Sequence, residues 1–148
     1  MCHRTVRCCH KDGNITNWWT TEDNAAFQDR NQKLQDYYSA MHPWKGQDLH
    51  AAIMSGEACA DMGGLKVVLR IAAEKENFDY DAFFRAYAGL WLTKETLQSA
   101  YTNIKDEHAM DYLRINSTLQ QCDEFLNFYG ITEGDGMYLA PEDRVNIR

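Results

Sequence analysis

Two carboxylates stand four residues apart in the stretch GEACADMGG, which runs from Gly56 to Gly64. In a helix this spacing places Glu57 and Asp61 on one face, where like charges repel by about 0.2–0.5 kcal/mol. Their neighbours are small or apolar, and a carboxylate in such surroundings needs a cation, a metal ion or several hydrogen-bond donors. Spacing alone also fits the commoner case of two acids near a helix N-terminus, stabilised by the helix dipole. A positively charged partner is therefore predicted, and its identity stays open.

Other polar residues could share in such a site. His108 follows Asp106 by two residues in a polar loop, a spacing at which a carboxylate can orient an imidazole; a solvated loop histidine fits the same pattern. Arg114 and Arg144 are single arginines, which lie on the surface more often than they bind anions. Trp91 stands at helical spacing, where a tryptophan is more often core than pocket wall.

Composition excludes several classes of function. The chain has 148 residues, and 15 Lys and Arg against 22 Asp and Glu give a net charge of −7 with the basic residues scattered, which argues against a nucleic-acid partner. No apolar stretch reaches the ~18 residues of a membrane span, and the first twenty residues contain no signal-peptide core. The odd count of five cysteines without a CxxC pair predicts no disulfide framework. We expect a reducing, cytoplasmic location, with any signal or membrane anchor in a preceding part of the polypeptide.

The N-terminus holds a second candidate site. Thiolates and imidazoles there could bind a metal ion, but their spacing matches no common zinc pattern. The residues concerned are Cys2, His3, Cys8, Cys9 and His10. Residues 1–10 are instead predicted to be disordered.

The elements that must position these residues are predicted to be helices in one mainly α unit. Thr20 followed by Glu22 and Asp23 is typical of a helix start, and the pair His42-Pro43 should end that helix. Residues 44–55 are predicted to form a loop or a short extended segment. A helix from Glu57 onwards is apolar around most of its circumference, which predicts that it is buried.

Two further helices follow. One should begin at Asp79 or Asp81, continue or resume through Leu97 to Tyr101, and bury its apolar residues Phe83, Phe84, Tyr87, Leu90 and Trp91. After a polar loop at 103–108, Ser117-Thr118-Leu119-Gln120 has the form of a capping box that opens a helix, and Gly130 should close it.

Four segments occur in the order found in one enzyme family. The segments are KDGNITNWWTTED, GEACADMGGLK, DEHAMDYLR and EGDGMYLAPEDRV. They resemble the segment after the zinc-binding helix, the ExxxD helix, the D-x-H motif with its following arginine, and the C-terminal signature of the neprilysin and endothelin-converting-enzyme family of zinc metallopeptidases. One such motif is weak, whereas four in order are specific. The resemblance implies that residues 11–148 form the helical C-terminal part of a thermolysin-like (gluzincin) catalytic domain.

The resemblance also implies a zinc ion and its surroundings. Glu57 corresponds to the third zinc ligand, which acts beside two histidines and leaves a fourth position to water. Asp61 corresponds to the acid that hydrogen-bonds the far nitrogen of a zinc-bound histidine and fixes its tautomer.

The remaining roles concern the peptide substrate. His108, oriented by Asp106, corresponds to the histidine that stabilises the oxyanion when water adds to the scissile carbonyl. Arg114 corresponds to the arginine that holds a substrate backbone carbonyl. Leu90 and Trp91 correspond to the lining of the pocket for the apolar side chain after the cleaved bond, and Arg144 to a substrate-binding arginine near the C-terminus.

The HExxH motif of such enzymes does not occur in these 148 residues, since none of the five histidines has another four residues away. We therefore expect a C-terminal part of a zinc metalloendopeptidase that needs an HExxH-bearing partner, binds zinc weakly and is inactive alone. Its apolar faces around Leu65, Leu69, Phe84 and Trp91 should then have too few partners, which favours self-association or marginal stability. The alternatives are a non-catalytic helical binding module, or metal binding by the N-terminal Cys/His cluster.

Overall fold

The computed structural model describes residues 11–41 and 46–146. Six α-helices occur in those ranges: α1 (Thr21–Ser39), α2 (Ala51–Ala73), α3 (Tyr80–Gly89), α4 (Leu97–Asn103), α5 (Asp111–Gln120) and α6 (Asp123–Tyr129). A 3₁₀ turn follows at Pro141–Asp143, and β-structure is limited to single bridge residues within the described part of the chain. The mainly α prediction is confirmed.

Three helix ends form where local chemistry predicts them. The Thr20 hydroxyl accepts a hydrogen bond from the backbone N–H of Asp23 at 3.0 Å and caps α1. The Asp79 carboxylate caps α3 in the same way through Ala82 N–H at 2.9 Å. Gly130 ends α6 at a φ of 64°, a left-handed conformation that glycine adopts without a Cβ penalty.

The predicted start of α2 is wrong by about two turns. The helix begins at Ala51, within the segment predicted to be a loop, because Ala51 and Met54 are buried and the first turn is held by packing. Glu57 therefore lies inside the helix, so the explanation of two acids at a helix N-terminus does not apply.

The predicted capping box is also wrong. Residues 117–120 form the last turn of α5, which begins at Asp111. The Ser117 side chain is buried, and its hydroxyl donates to the backbone carbonyl of Leu113 one turn earlier while it shares a hydrogen bond of 2.6 Å with the Tyr38 hydroxyl. A serine satisfied in this way is compatible with a helix interior and does not mark a helix start.

Helix α2 links two apolar clusters. Its first half packs with α1 and α5 in a cluster that includes Leu34, Tyr38 and Met54. Its second half contributes Leu65 and Leu69 to a cluster with residues of α3 and α5. Glu57 and Asp61 lie on the stretch of α2 where these clusters meet.

One face of α2 remains exposed, contrary to the prediction of a fully buried helix. Val67 and Ile71 are 58% and 55% exposed, because α1 and α5 cover only part of the circumference. Leu65, Leu69 and Phe84 were expected to lack partners but are buried. None of the helices in the described residues is both long and apolar enough to cross a lipid bilayer.

We expect this exposed face of α2 to cause self-association, because contiguous apolar patches of more than a few hundred Å² favour burial against another surface. Replacing Val67 and Ile71 together by lysine should lower the association constant measured by sedimentation velocity over a concentration series. Leu92→Lys is a matched control, since Leu92 is 79% exposed and lies outside α2. A wild-type chain that stays monomeric throughout the series would contradict the expectation.

Candidate active site

A bidentate ion pair joins α2 to α5. Arg114 on α5 donates to the Asp61 carboxylate on α2 through Nε at 2.7 Å and through Nη2 at 2.6 Å. Both side chains are 15% exposed. A two-pronged pair of this kind fixes the plane of the guanidinium as well as its position, and removing either partner leaves a largely buried charge unpaired.

Trp91 covers one face of the same guanidinium. The Arg114 Cζ atom lies 3.8 Å from the centroid of the Trp91 ring, which is within cation–π distance. The hydrogen bonds to Asp61 raise the pKa of Arg114, so its positive charge is permanent. Asp61 thus fixes the plane of the Arg114 guanidinium, and Trp91 covers one of its faces.

Helix α5 is itself fixed by hydrogen bonds to α1 and α3. The Tyr38 hydroxyl on α1 meets Ser117 at 2.6 Å, and the Tyr87 hydroxyl on α3 donates to the backbone carbonyl of Arg114 at 3.3 Å. Burial raises the pKa of Tyr38 to about 12, which keeps the phenol neutral. These contacts set the rotation of α5 and direct Arg114 toward α2.

His108 lies between two carboxylates. Its Nε2 is 3.4 Å from Glu57 Oε2, and its Nδ1 is 3.6 Å from Asp106 Oδ2. The Asp106 carboxylate also accepts a hydrogen bond from the backbone N–H of Glu107 at 2.8 Å, which fixes it in the loop after α4. The distance to Asp106 is longer than a hydrogen bond but permits electrostatic attraction.

Most of the predicted site residues form one connected set. His108 contacts Glu57, the charge of Glu57 acts on Arg114, and Arg114 contacts Asp61 and Trp91. Leu90 and Asp61 line a groove of about 390 Å³ between α2 and α3, with otherwise mainly apolar walls. The groove lies next to the Asp61–Arg114 pair.

Arg144 belongs to a different cluster. Its Nη1 donates to Asp123 on α6, and its Nε donates to the Leu139 carbonyl at 2.8 Å. The Arg144 carbonyl accepts from Lys33 Nζ at 3.0 Å. These contacts tie the C-terminal segment to α1 and α6, and the structure does not bring Arg144 together with the residues around Asp61.

The described residues alone do not fit a zinc ion. Catalytic zinc takes three protein ligands, and no group of three or more His, Cys, Asp or Glu side chains in the described ranges is arranged to hold a metal. Glu57 and His108 lie next to each other but would supply only two ligands. The N-terminal Cys/His cluster lies outside the described residues.

The Asp61–Arg114 pair was not predicted from the sequence. The sequence did contain a signal for this pair, because a carboxylate in apolar surroundings needs a cation and Arg114 lies on α5. The family motifs instead predicted that Asp61 binds a histidine and that Arg114 binds a substrate, so a contact between the two residues was not expected.

Comparison with known proteins decides the family. The sequence profile of Peptidase family M13 matches residues 4–145, and the match begins inside the N-terminal segment for which the motifs gave no resemblance. This chain belongs to peptidase family M13.

Relatives of this M13 chain include bacterial and animal enzymes. It is 32% identical over 136 residues to the neutral endopeptidase of Lactobacillus helveticus, a match that covers 91% of this chain and 21% of the relative. It is 26% identical over 141 residues to endothelin-converting enzyme 1 of Cavia porcellus, covering 86% and 19% of the two chains. The M13 chain thus spans about a fifth of the length of these relatives.

Solved structures of M13 peptidases share the fold. Mycobacterium tuberculosis zinc metalloprotease ZMP1, in complex with an inhibitor, superposes with a TM-score of 0.80 at 27% identity over 92% of this chain and 23% of that one. PEPO from Lactobacillus rhamnosis HN001 gives a TM-score of 0.82 at 30% identity over 91% and 22%. The family and these neighbours imply zinc as the metal.

Proposed function

We propose that this chain supplies the C-terminal part of the active site of an M13 zinc metalloendopeptidase that cleaves short peptides, and that it is inactive alone. The observation that carries the proposal is the connected set of Glu57, His108, Asp61 and Arg114 beside an apolar groove. An imidazole, a carboxylate and a guanidinium converging beside an apolar pocket suit peptide binding and stabilisation of a developing negative charge.

His108 would stabilise the oxyanion that forms on the scissile carbonyl. Its imidazole is 43% exposed and so remains accessible to a substrate. Glu57 and Asp106 both face the ring, with carboxylate oxygens 3.4 Å from Nε2 and 3.6 Å from Nδ1. A preorganised donor acts most strongly on the charge of the transition state.

Arg114 and Leu90 would bind the peptide on the leaving-group side. The Arg114 guanidinium would donate to a backbone carbonyl, and the groove lined by Leu90 would take an apolar side chain. Trp91 would contribute to this subsite through its contact with Arg114.

Glu57 would act as one zinc ligand, and the other ligands would come from an HExxH segment on a further stretch of polypeptide. The whole site would then be shared between that segment and this chain. If the ligands are divided in this way, the chain alone should bind zinc weakly, because one carboxylate cannot replace three protein ligands.

Equilibrium dialysis against zinc tests this division. We expect a dissociation constant in the micromolar range or weaker for the chain alone, with little change in Glu57→Ala. Tight stoichiometric zinc that survives Glu57→Ala would mean that the N-terminal Cys/His cluster is the metal site.

A chimera tests the proposed activity. This chain would replace the matching fifth of the Lactobacillus helveticus neutral endopeptidase, and the remaining part would have to supply HExxH. We expect the chimera to bind zinc and hydrolyse an internally quenched oligopeptide, whereas either part alone should not. A folded, zinc-loaded chimera without hydrolysis would count against the proposal.

A non-catalytic helical binding module is the second candidate. The exposed face of α2 around Val67 and Ile71 favours it, because such a face suits docking of another protein. Hydrolysis by the chimera that is unaffected by substitution of both Glu57 and His108 would make this the better account.

A further inference from the structure

Arg144 lines the outer of two adjoining cavities between α2, the start of α6 and the C-terminal segment. The outer cavity has a volume of about 150 Å³ and the inner cavity one of about 70 Å³. Four residues line both cavities: Lys66, Gln121, Asp123 and Val145. The inner cavity also has an apolar side, formed by Met62, Leu65 and Leu69. Because one water molecule needs about 10–15 Å³ of such space, the two cavities together have room for a small organic molecule.

Two cations in the outer cavity have hydrogen-bond donors to spare. Arg144 donates Nε–H to the Leu139 carbonyl at 2.8 Å and one Nη1–H to Asp123, and these contacts leave both of its Nη2 hydrogens for an acceptor. Lys66 donates one of its three ammonium hydrogens to Asn146 Oδ1 at 3.2 Å. Since only 18% of the Arg144 side chain is exposed, water screens its charge less than that of a surface arginine. A carboxylate in this cavity would meet two charged donors.

Two carboxylates balance these cations. Asp123 lines both cavities, and its Oδ1 accepts a hydrogen bond from Arg144. Glu124 lines the inner cavity, and its Oε2 accepts from the Cys122 thiol at 3.5 Å. Each of these contacts uses one carboxylate oxygen, so the second oxygen of each carboxylate can accept from an ammonium group. The lining therefore offers both signs of charge next to an apolar surface.

Gln121 adds a buried donor to the wall between the cavities. Its Oε1 accepts from the backbone N–H of Val145 at 2.7 Å, which fixes the orientation of the amide. Its Nε2 is buried and has no hydrogen-bond partner within the described parts of the chain. Because a buried donor without an acceptor is destabilising, a carboxylate oxygen at this wall would stabilise the arrangement.

We propose that the two cavities form a binding site for a free apolar α-amino acid such as leucine. Its carboxylate would bind Lys66 and Arg144. Its ammonium group would bind Asp123 and Glu124, and its side chain would pack on the apolar side of the inner cavity. A ligand that carries both charges matches two cations and two carboxylates, whereas a simple anion would leave the carboxylates without a partner of opposite charge. No residue of the proposed peptidase function takes part, so the two proposals are tested separately.

Four matched compounds test the site on the full chain without any metal. L-leucine carries both charges, leucinamide lacks the carboxylate, 4-methylpentanoate lacks the ammonium group, and glycine lacks the side chain. The side-chain amide signals of Gln121 in an NMR titration report the binding of each compound. We expect L-leucine to bind with a dissociation constant in roughly the millimolar range. The other three compounds should bind at least about tenfold more weakly.

Equal affinity for L-leucine and 4-methylpentanoate would show that the ammonium group is not recognised, and would overturn the proposal. The absence of any Gln121 response to L-leucine up to its solubility limit would overturn it as well. This comparison uses only the wild-type chain and does not depend on the folding of a variant.

Lys66→Gln tests the contact with the ligand carboxylate, because glutamine retains a donor for Asn146 and removes the positive charge. The affinity for L-leucine should fall about tenfold. Lys75→Gln is the matched control, since Lys75 is an exposed lysine just after α2. The control should leave the affinity unchanged, and an equal loss in both variants would overturn the proposal.

Glu124→Gln tests the contact with the ligand ammonium group. It should weaken the binding of L-leucine and leave the weaker binding of 4-methylpentanoate unchanged, because only L-leucine carries a charge that the Glu124 carboxylate attracts. Glu133→Gln, at an exposed position after α6, is the control and should affect neither ligand. An unchanged affinity of Glu124→Gln for L-leucine, or an equal loss for both ligands, would overturn the assignment of Glu124.

Discussion

Replacing Glu57 by alanine in the active chimera should abolish zinc binding and peptide hydrolysis together. The Glu57 carboxylate lies inside α2, next to His108, with 23% of its side chain exposed. Under the proposed function it would bind a metal ion together with ligands from a further stretch of polypeptide. Removing one of three protein ligands lowers zinc affinity by a large factor. Metal analysis after exhaustive dialysis and kcat for a fluorogenic peptide would give the two readouts.

Glu74→Ala is the control for this substitution, because Glu74 is the C-cap residue of the same helix and is exposed. The control should retain zinc and activity. A Glu57→Ala chimera with full zinc content would show that another residue provides the ligand, and would remove the basis for dividing the metal site between two parts.

His108→Ala should instead retain zinc and lower kcat by ~10²–10³, with a smaller effect on KM. An oxyanion donor acts on the transition state, so its loss appears in the chemical step. Asp106→Asn should have a smaller effect of the same kind, since Asp106 lies 3.6 Å from the His108 ring and acts through it. Steady-state kinetics and metal content of each purified chimera would separate the two effects.

His50→Ala is a suitable control, because His50 is an exposed histidine at the start of α2 and lies outside the candidate site. It should leave kcat unchanged. Unaltered hydrolysis by His108→Ala would refute the oxyanion role, even if Glu57 proved to be a ligand.

The sequence by itself determined those features of the protein that depend only on residues close together along the chain. The helix starts at Thr20 and at Asp79 or Asp81, and the helix end at Gly130, were predicted because each is decided within about four residues. The order of the four motifs indicated the family, which the profile match confirmed. The same local patterns failed at Ser117, where a residue from another helix satisfies the hydroxyl and removes the need for a cap.

Only the tertiary structure decided which groups meet. Asp61 and Arg114 are 53 residues apart in the chain, and they pair because α2 and α5 pack together with α5 oriented through Tyr38 and Ser117. Packing also decided that Val67 and Ile71 stay exposed, because periodicity reports that a face is apolar and does not report what covers it. Side-chain partners across helices depend on helix rotation and translation, which long-range packing fixes and local sequence does not encode.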